Sequence, residues 1–156
     1  MKDQKVYLIL EDSQVFEGKR FGSDIESTGE IVFTTGMGGY IETLTDPSYY
    51  GQICIQTFPL IGNYGIIEED FESPRCNMKG YVVREKCDFP SNFRCQYDLD
   101  TFLKKQDIPG VYDVDTRRLT TIIREYGVMN AMISNNPPTK ETFEKIKEYR
   151  IIIVRL

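Results

Sequence analysis

The sequence predicts a mixed α/β domain with helices layered on its sheets. Three observations carry that reading. Short runs rich in branched and aromatic residues recur along the chain, enough for about six or seven strands. Apolar residues at helical spacing mark three or four helices, interleaved with strands mainly in the second half. The 156 residues, 40% hydrophobic and 28% charged, suit one domain that buries its own core.

Val6–Leu10 is the first strand signal, Glu11–Gln14 carries turn chemistry, and Val15–Phe21 reads as the returning strand of a hairpin. Gly22-Ser23-Asp24 ends it. After the polar segment Ile25–Gly29, Glu30–Thr35 is strongly β-prone and apolar at its centre, as a buried strand is. Gly39–Leu44 has room for one or two helical turns. Gly51–Phe58 alternates Ile53, Ile55 and Thr57 with Gln52, Cys54 and Gln56. Glu68–Glu72 is an acidic surface segment, and Lys79–Glu85 is a further strand.

Residues 86–97 read as loop. Leu99, Phe102 and Leu103 then mark a short helix, which Ile108-Pro109-Gly110-Val111 breaks. The clearest helix places Leu119, Ile122, Ile123 and Tyr126 on one stripe, with Asp115 or Thr116 at its start and Gly127 at its end. Val128–Ile133 is the last strand. Pro137-Pro138 stops it, and Thr139 begins a helix carrying Phe143, Ile146 and Tyr149.

The stretch 36–64 is the densest in Gly, Pro, Tyr, Asp and Ser. Pro47 fixes its own φ and keeps Asp46 out of the α region. Asp46, Thr45 and Ser48 are each able to bond nearby backbone, so residues 44–49 read as an ordered turn. A second Pro/Gly turn follows at Phe58–Gly65. Two specified turns around an apolar strand describe either a shaped surface or a demanding piece of scaffold.

Composition excludes much. No histidine occurs, so Ser-His-Asp and Cys-His catalysis cannot be assembled from these residues. Net charge is −5 with no basic stripe, which argues against nucleic acid. No apolar run approaches a membrane span, and the first residues carry no signal-peptide core; a reducing, cytoplasmic setting is expected. The four cysteines, Cys54, Cys76, Cys87 and Cys95, lack CxxC spacing and are expected as free thiols, with Cys54 in the core and Cys76 modestly activated at most by Arg75 and Lys79.

The search for chemistry finds little. Gly36-Met37-Gly38-Gly39 lacks the third glycine of GxGxxG, since position 41 is Ile. Glu42 and Asp46 are spaced to share a face, a pair suited to acid–base work but more often solvated. Arg117 and Arg118 occupy the first turn of a helix, where the dipole disfavours cations, so an acid such as Glu85 or a partner is expected to hold one of them.

Several motifs in one order do carry a signal. Glu30–Tyr49, Phe58–Gly65, Gly80–Arg84, Ser91-Asn92-Phe93-Arg94, Ile108-Pro109-Gly110, Asp113–Thr120 and Arg124–Gly127 together resemble the N-terminal domain of the small chain of carbamoyl-phosphate synthase, over roughly residues 6–135. The resemblance implies a β/β/α layered domain of the swivelling type spanning 1–136, with 137–156 as its C-terminal helix and tail. In that family a second, class I glutamine amidotransferase domain carries a Cys-His-Glu triad and releases ammonia from glutamine. The large subunit uses the ammonia with ATP and bicarbonate to make carbamoyl phosphate for pyrimidine and arginine synthesis.

The resemblance thus implies a non-catalytic domain without a cofactor of its own. Its implied partners are the large subunit, its own amidotransferase domain and glutamine. Ser48 of Asp46-Pro47-Ser48-Tyr49 is similar to the family residue that reaches the glutamine site; the bland alternative is that it only closes the turn. Gly36, Gly38 and Ile41 depart from the family's usual residues, and Tyr149–Leu156 does not resemble its interdomain linker. A stand-alone binding module on the same surface is the competing reading. An independent carboxylate enzyme using Glu42 and Asp46 ranks behind both.

Overall fold

β1, Lys5–Leu10, turns at Glu11–Gln14 and returns as β2, Val15–Gly22, with Ile9 opposite Val15 and Lys5 opposite Lys19. Asp12 closes the turn: its two carboxylate oxygens accept from the Gln14 backbone amide at 3.1 Å and side-chain amide at 2.6 Å. Such local side-chain bonding is why Asp marks turns. The computed structural model describes residues 4–35, 47–57, 78–84 and 99–149. The expected helical turns at 39–44, the turn at 58–65, the acidic segment 68–72 and the other three cysteines lie outside those residues.

The remaining strands are β3 (Ser27–Thr34), β4 (Gln52–Gln56), β5 (Gly80–Val82), β6 (Pro109–Tyr112) and β7 (Asn130–Ser134). The helices are α1 (Leu99–Lys105), α2 (Thr116–Tyr126) and α3 (Lys140–Glu148). The strands close into a barrel in the order β1-β2-β6-β5-β4-β3-β7. Pairing is mixed: β3 to β6 run parallel, while β1, β2 and β7 join them antiparallel. The fold class read from the sequence holds, with the sheets joined into one ring.

Two strands differ from the sequence reading. β3 starts at Ser27 because residues 27–30 pair with β7 while 30–34 pair with β4. β6 was expected as a helix-breaking turn. Pro109 stands at the first strand position, where its missing N–H costs least. Gly110 is required by packing: a Cβ there would lie 2.6 Å from the Phe21 ring. Turn-type residues thus occupy a strand for steric reasons.

One apolar cluster draws from nearly all the way around the ring: Leu8, Ile31, Ile53, Ile55, Val82, Val111 and Ile133 among others. Only the barrel interior is common to these strands. Leu119 and Ile123 of α2 join it, each burial stabilising by about 1.5–3 kcal/mol. Asp115 caps α2, its Oδ1 accepting from the Arg118 amide at 3.0 Å, and Gly127 ends it with φ 95°. A second cluster lies outside the ring beneath α1, where Phe102 and Leu103 meet Phe21, Cys54, Tyr81 and Val83. β4 and β5 are therefore buried on both faces, as parallel strands usually are. Cys54 is fully buried, as expected of a core position.

Candidate functional site

Ser48 lies in a single 3-10 turn, Pro47–Tyr49, and is exposed. The turn stands just ahead of β4, a strand whose residues from Ile53 onward are buried. Tyr49 is half-buried and packs on the outer cluster, tying the turn to the core. Gly51 takes φ 74°, a left-handed conformation that redirects the chain into β4 and that other residues adopt at a cost. An exposed hydroxyl is thereby carried on backbone anchored on its C-terminal side.

A groove of about 480 Å³ borders the turn. Tyr50, Gly51 and Tyr149 form one part of its lining, Met78, Lys79 and Ile108 another, and Ile25 to Thr28 a third. Tyr50 and Ile25 are 52% and 42% exposed, so the rim carries apolar surface. The Tyr149 hydroxyl donates to the Gly51 carbonyl at 3.4 Å. Burial, and then Tyr50, push that hydroxyl up from the ordinary tyrosine value, so it stays protonated and able to donate.

Glu26, beside the groove, is held from behind. Its Oε2 accepts from the Ser134 hydroxyl at 2.6 Å and from the Asn135 amide at 2.9 Å. These two bonds hold its carboxyl below the usual range. Arg20 donates to the Ser23 carbonyl and to Asn135 Oδ1, which joins β2 to the end of β7. Among the described residues its Nε is buried without a hydrogen-bond partner. This network fixes the loop 23–26.

Of the residues expected to carry chemistry, Ser48 is described and stands on the turn. Glu42, Asp46 and Glu85 lie outside the described residues. Arg117 and Arg118 are exposed, and among the described residues neither forms an ion pair. Sequence reasoning missed the bond from Tyr149 to Gly51, because its partners lie 98 residues apart. It also missed Asn130, whose only sequence signal was a polar residue inside a strand pattern. Among the described residues no helix is long and apolar enough to cross a membrane.

Fold and turn together define a mixed α/β barrel domain with an exposed serine on a turn whose next residues, Tyr50 and Gly51, line a groove. The aminopeptidase from Aneurinibacillus sp. strain AM-1 shares this fold with a TM-score of 0.52 at 15% identity, over 86% of this chain and 31% of that one. At that identity the likeness concerns architecture only. Residues 8–133 match the family model described as carbamoyl-phosphate synthase small chain, CPSase domain, and the chain belongs to that family.

The carbamoyl phosphate synthase small chain of Clostridium perfringens (strain 13 / Type A) is 52% identical over 144 residues, 90% of this chain and 41% of that protein. That of Streptococcus agalactiae serotype III is 56% identical over 131 residues, 84% and 37% respectively. That of Bacillus caldolyticus is 55% identical over 129 residues, 83% and 35%. The chain spans about two fifths of the length of the curated relatives it matches.

Proposed function

We propose that this chain acts as the non-catalytic N-terminal domain of a glutamine-hydrolysing carbamoyl-phosphate synthase small subunit. In that role Ser48 contacts glutamine bound on an amidotransferase domain. The ammonia released there goes to the large subunit for carbamoyl phosphate synthesis. Residues 1–136 form the body of the domain and 137–156 its C-terminal helix and tail, and the assembly works in the cytoplasm. The domain needs no cofactor of its own.

The observation that carries this reading is the exposed Ser48 on a turn anchored by Tyr49 and Gly51, inside the segment that matches the family. A hydroxyl both donates and accepts, which suits the ammonium and carboxylate of an amino acid. Hydrogen bonds to charged groups are the stronger kind. The lack of any histidine among these residues accords with the ammonia-releasing triad lying elsewhere.

The test is Ser48→Ala in the small subunit assembled with the large one. The glutamine KM should rise roughly tenfold or more, while synthesis driven by free ammonia is unchanged. Unaltered glutamine kinetics would remove Ser48 from the site. The isolated 156-residue chain should show no glutaminase activity; turnover above a blank would defeat the reading of this domain as non-catalytic.

A further inference from the structure

The structure assigns Tyr149 as a positioning residue for the Ser48 turn, with Asn130 as the anchor that holds Tyr149 in place. This inference rests on the proposed role of Ser48 and extends it to residues that do not meet the substrate. The Tyr149 hydroxyl donates to the carbonyl of Gly51, the residue that ends the turn with a left-handed φ of 74°. That bond, at 3.4 Å, ties the peptide between Gly51 and Gln52, where the turn enters β4, to the end of α3. Tyr149 is itself held from its backbone side. The side-chain amide of Asn130 donates to the carbonyls of both Ile146 and Tyr149, at 3.0 Å each.

Asn130 in turn is tied to the hairpin. Its amide donates to Glu11 Oε1 at 2.9 Å and its carbonyl accepts from the Glu11 amide at 2.9 Å. A continuous path therefore runs from the rigid β1–β2 turn through β7 and the end of α3 to the turn that carries Ser48. Tyr149 also lines the groove together with Tyr50 and Gly51, the two residues that lead from the Ser48 turn into β4. A phenolic hydroxyl on a short rigid ring suits this task, since few rotors are frozen when it donates.

Two measurements test the assignment. In the 156-residue chain, amide hydrogen exchange is followed at Ser48, Tyr49, Tyr50 and Gly51 (Pro47 has no amide). Tyr149→Phe removes only the hydroxyl, and these amides should exchange about 2- to 10-fold faster, with Lys5–Gly22 unchanged. Asn130→Ala keeps the hydroxyl but frees the helix end, and should give the same local acceleration. Unchanged exchange at the turn in both variants overturns the assignment.

In the assembled synthase, Tyr149→Phe should raise the glutamine KM by a smaller factor than Ser48→Ala, leaving kcat and the ammonia-driven rate as they were. Combining it with Ser48→Ala should add nothing further. A purely structural role lowers the melting temperature without moving that KM. If Ser48→Ala shifts the KM and Tyr149→Phe does not, the positioning role fails while the Ser48 reading stands. If Ser48→Ala is without effect, the Ser48 reading fails, and the exchange data alone decide whether Tyr149 holds the turn.

Discussion

The side-chain amide of Asn130 donates to the main-chain carbonyl of Tyr149 at 3.0 Å, so a residue at the start of β7 caps a helix that begins ten residues later. The final carbonyls of a helix have no partner within it. Here one side-chain amide serves the Tyr149 carbonyl and shares that of Ile146 with the Tyr149 backbone amide, which donates to it at 3.4 Å. Asn130→Ala should therefore destabilise the domain by about 1–3 kcal/mol, measured by urea unfolding. A loss below about 0.5 kcal/mol would mean that water serves these carbonyls as well as Asn130 does.

Stability should depend on pH through Glu26. Its folded carboxyl lies below the usual value because Ser134 and then the Asn135 amide bond the charged form. A depressed folded value stabilises above the unfolded carboxylate pKa, ~4.3, and that stability is lost as pH falls through the folded value. Glu26→Gln should cost on the order of 1 kcal/mol at pH 7, a figure kept small because the group is exposed. The difference from the parent chain should narrow as pH falls below the unfolded carboxylate value and close once pH is below the folded one. A gap that persists unchanged in acid would point to packing and not to charge.

Gly110 and Phe21 form a steric pair across β2 and β6. A Cβ at 110 would sit 2.6 Å from the Phe21 ring, which itself meets Tyr112 edge-on at 5.9 Å. Gly110→Ala should cost about 1–3 kcal/mol through overpacking. Phe21→Leu in that background should recover part of the loss, a non-additive pairing that a double-mutant cycle reads directly. Simple additivity of the two changes would mean that the ring moves aside freely.

Cys54 is fully buried in the outer cluster. A thiol without access to reagent is inert whatever its intrinsic nucleophilicity. Brief alkylation of the native chain should leave the Cys54 peptide unmodified by mass spectrometry, and alkylation in denaturant should label it fully. Labelling of native protein at the rate of an exposed thiol would show that β4 opens locally.

The elements were largely legible along the chain, because local chemistry specifies them. The Asp12 turn, the Asp115 cap, the Gly127 stop and the Thr139 start are each set by residues within four positions of where they act. The 3.6-residue stripe of α2 likewise predicted burial of Leu119 and Ile123. β6 was hidden because Pro109 and Gly110 read locally as a break, and only the Phe21 ring explains why a glycine stands in that strand. The ordered turn at Ser48 was legible from Pro47 and its polar neighbours. The groove beside it was not, since its lining gathers segments from residue 25 to residue 149.

By itself, then, the sequence determined the α/β class, the order of its elements, the absence of histidine chemistry from these residues and the place of Ser48 in a turn. Tertiary structure alone decided that the strands close into a ring, and that Tyr149 reaches the Gly51 carbonyl. The reason is range. Caps, turns and amphipathic stripes depend on neighbours a few residues away. Barrel closure through β7 and the bond to Gly51 depend on which distant surfaces the shared core brings together.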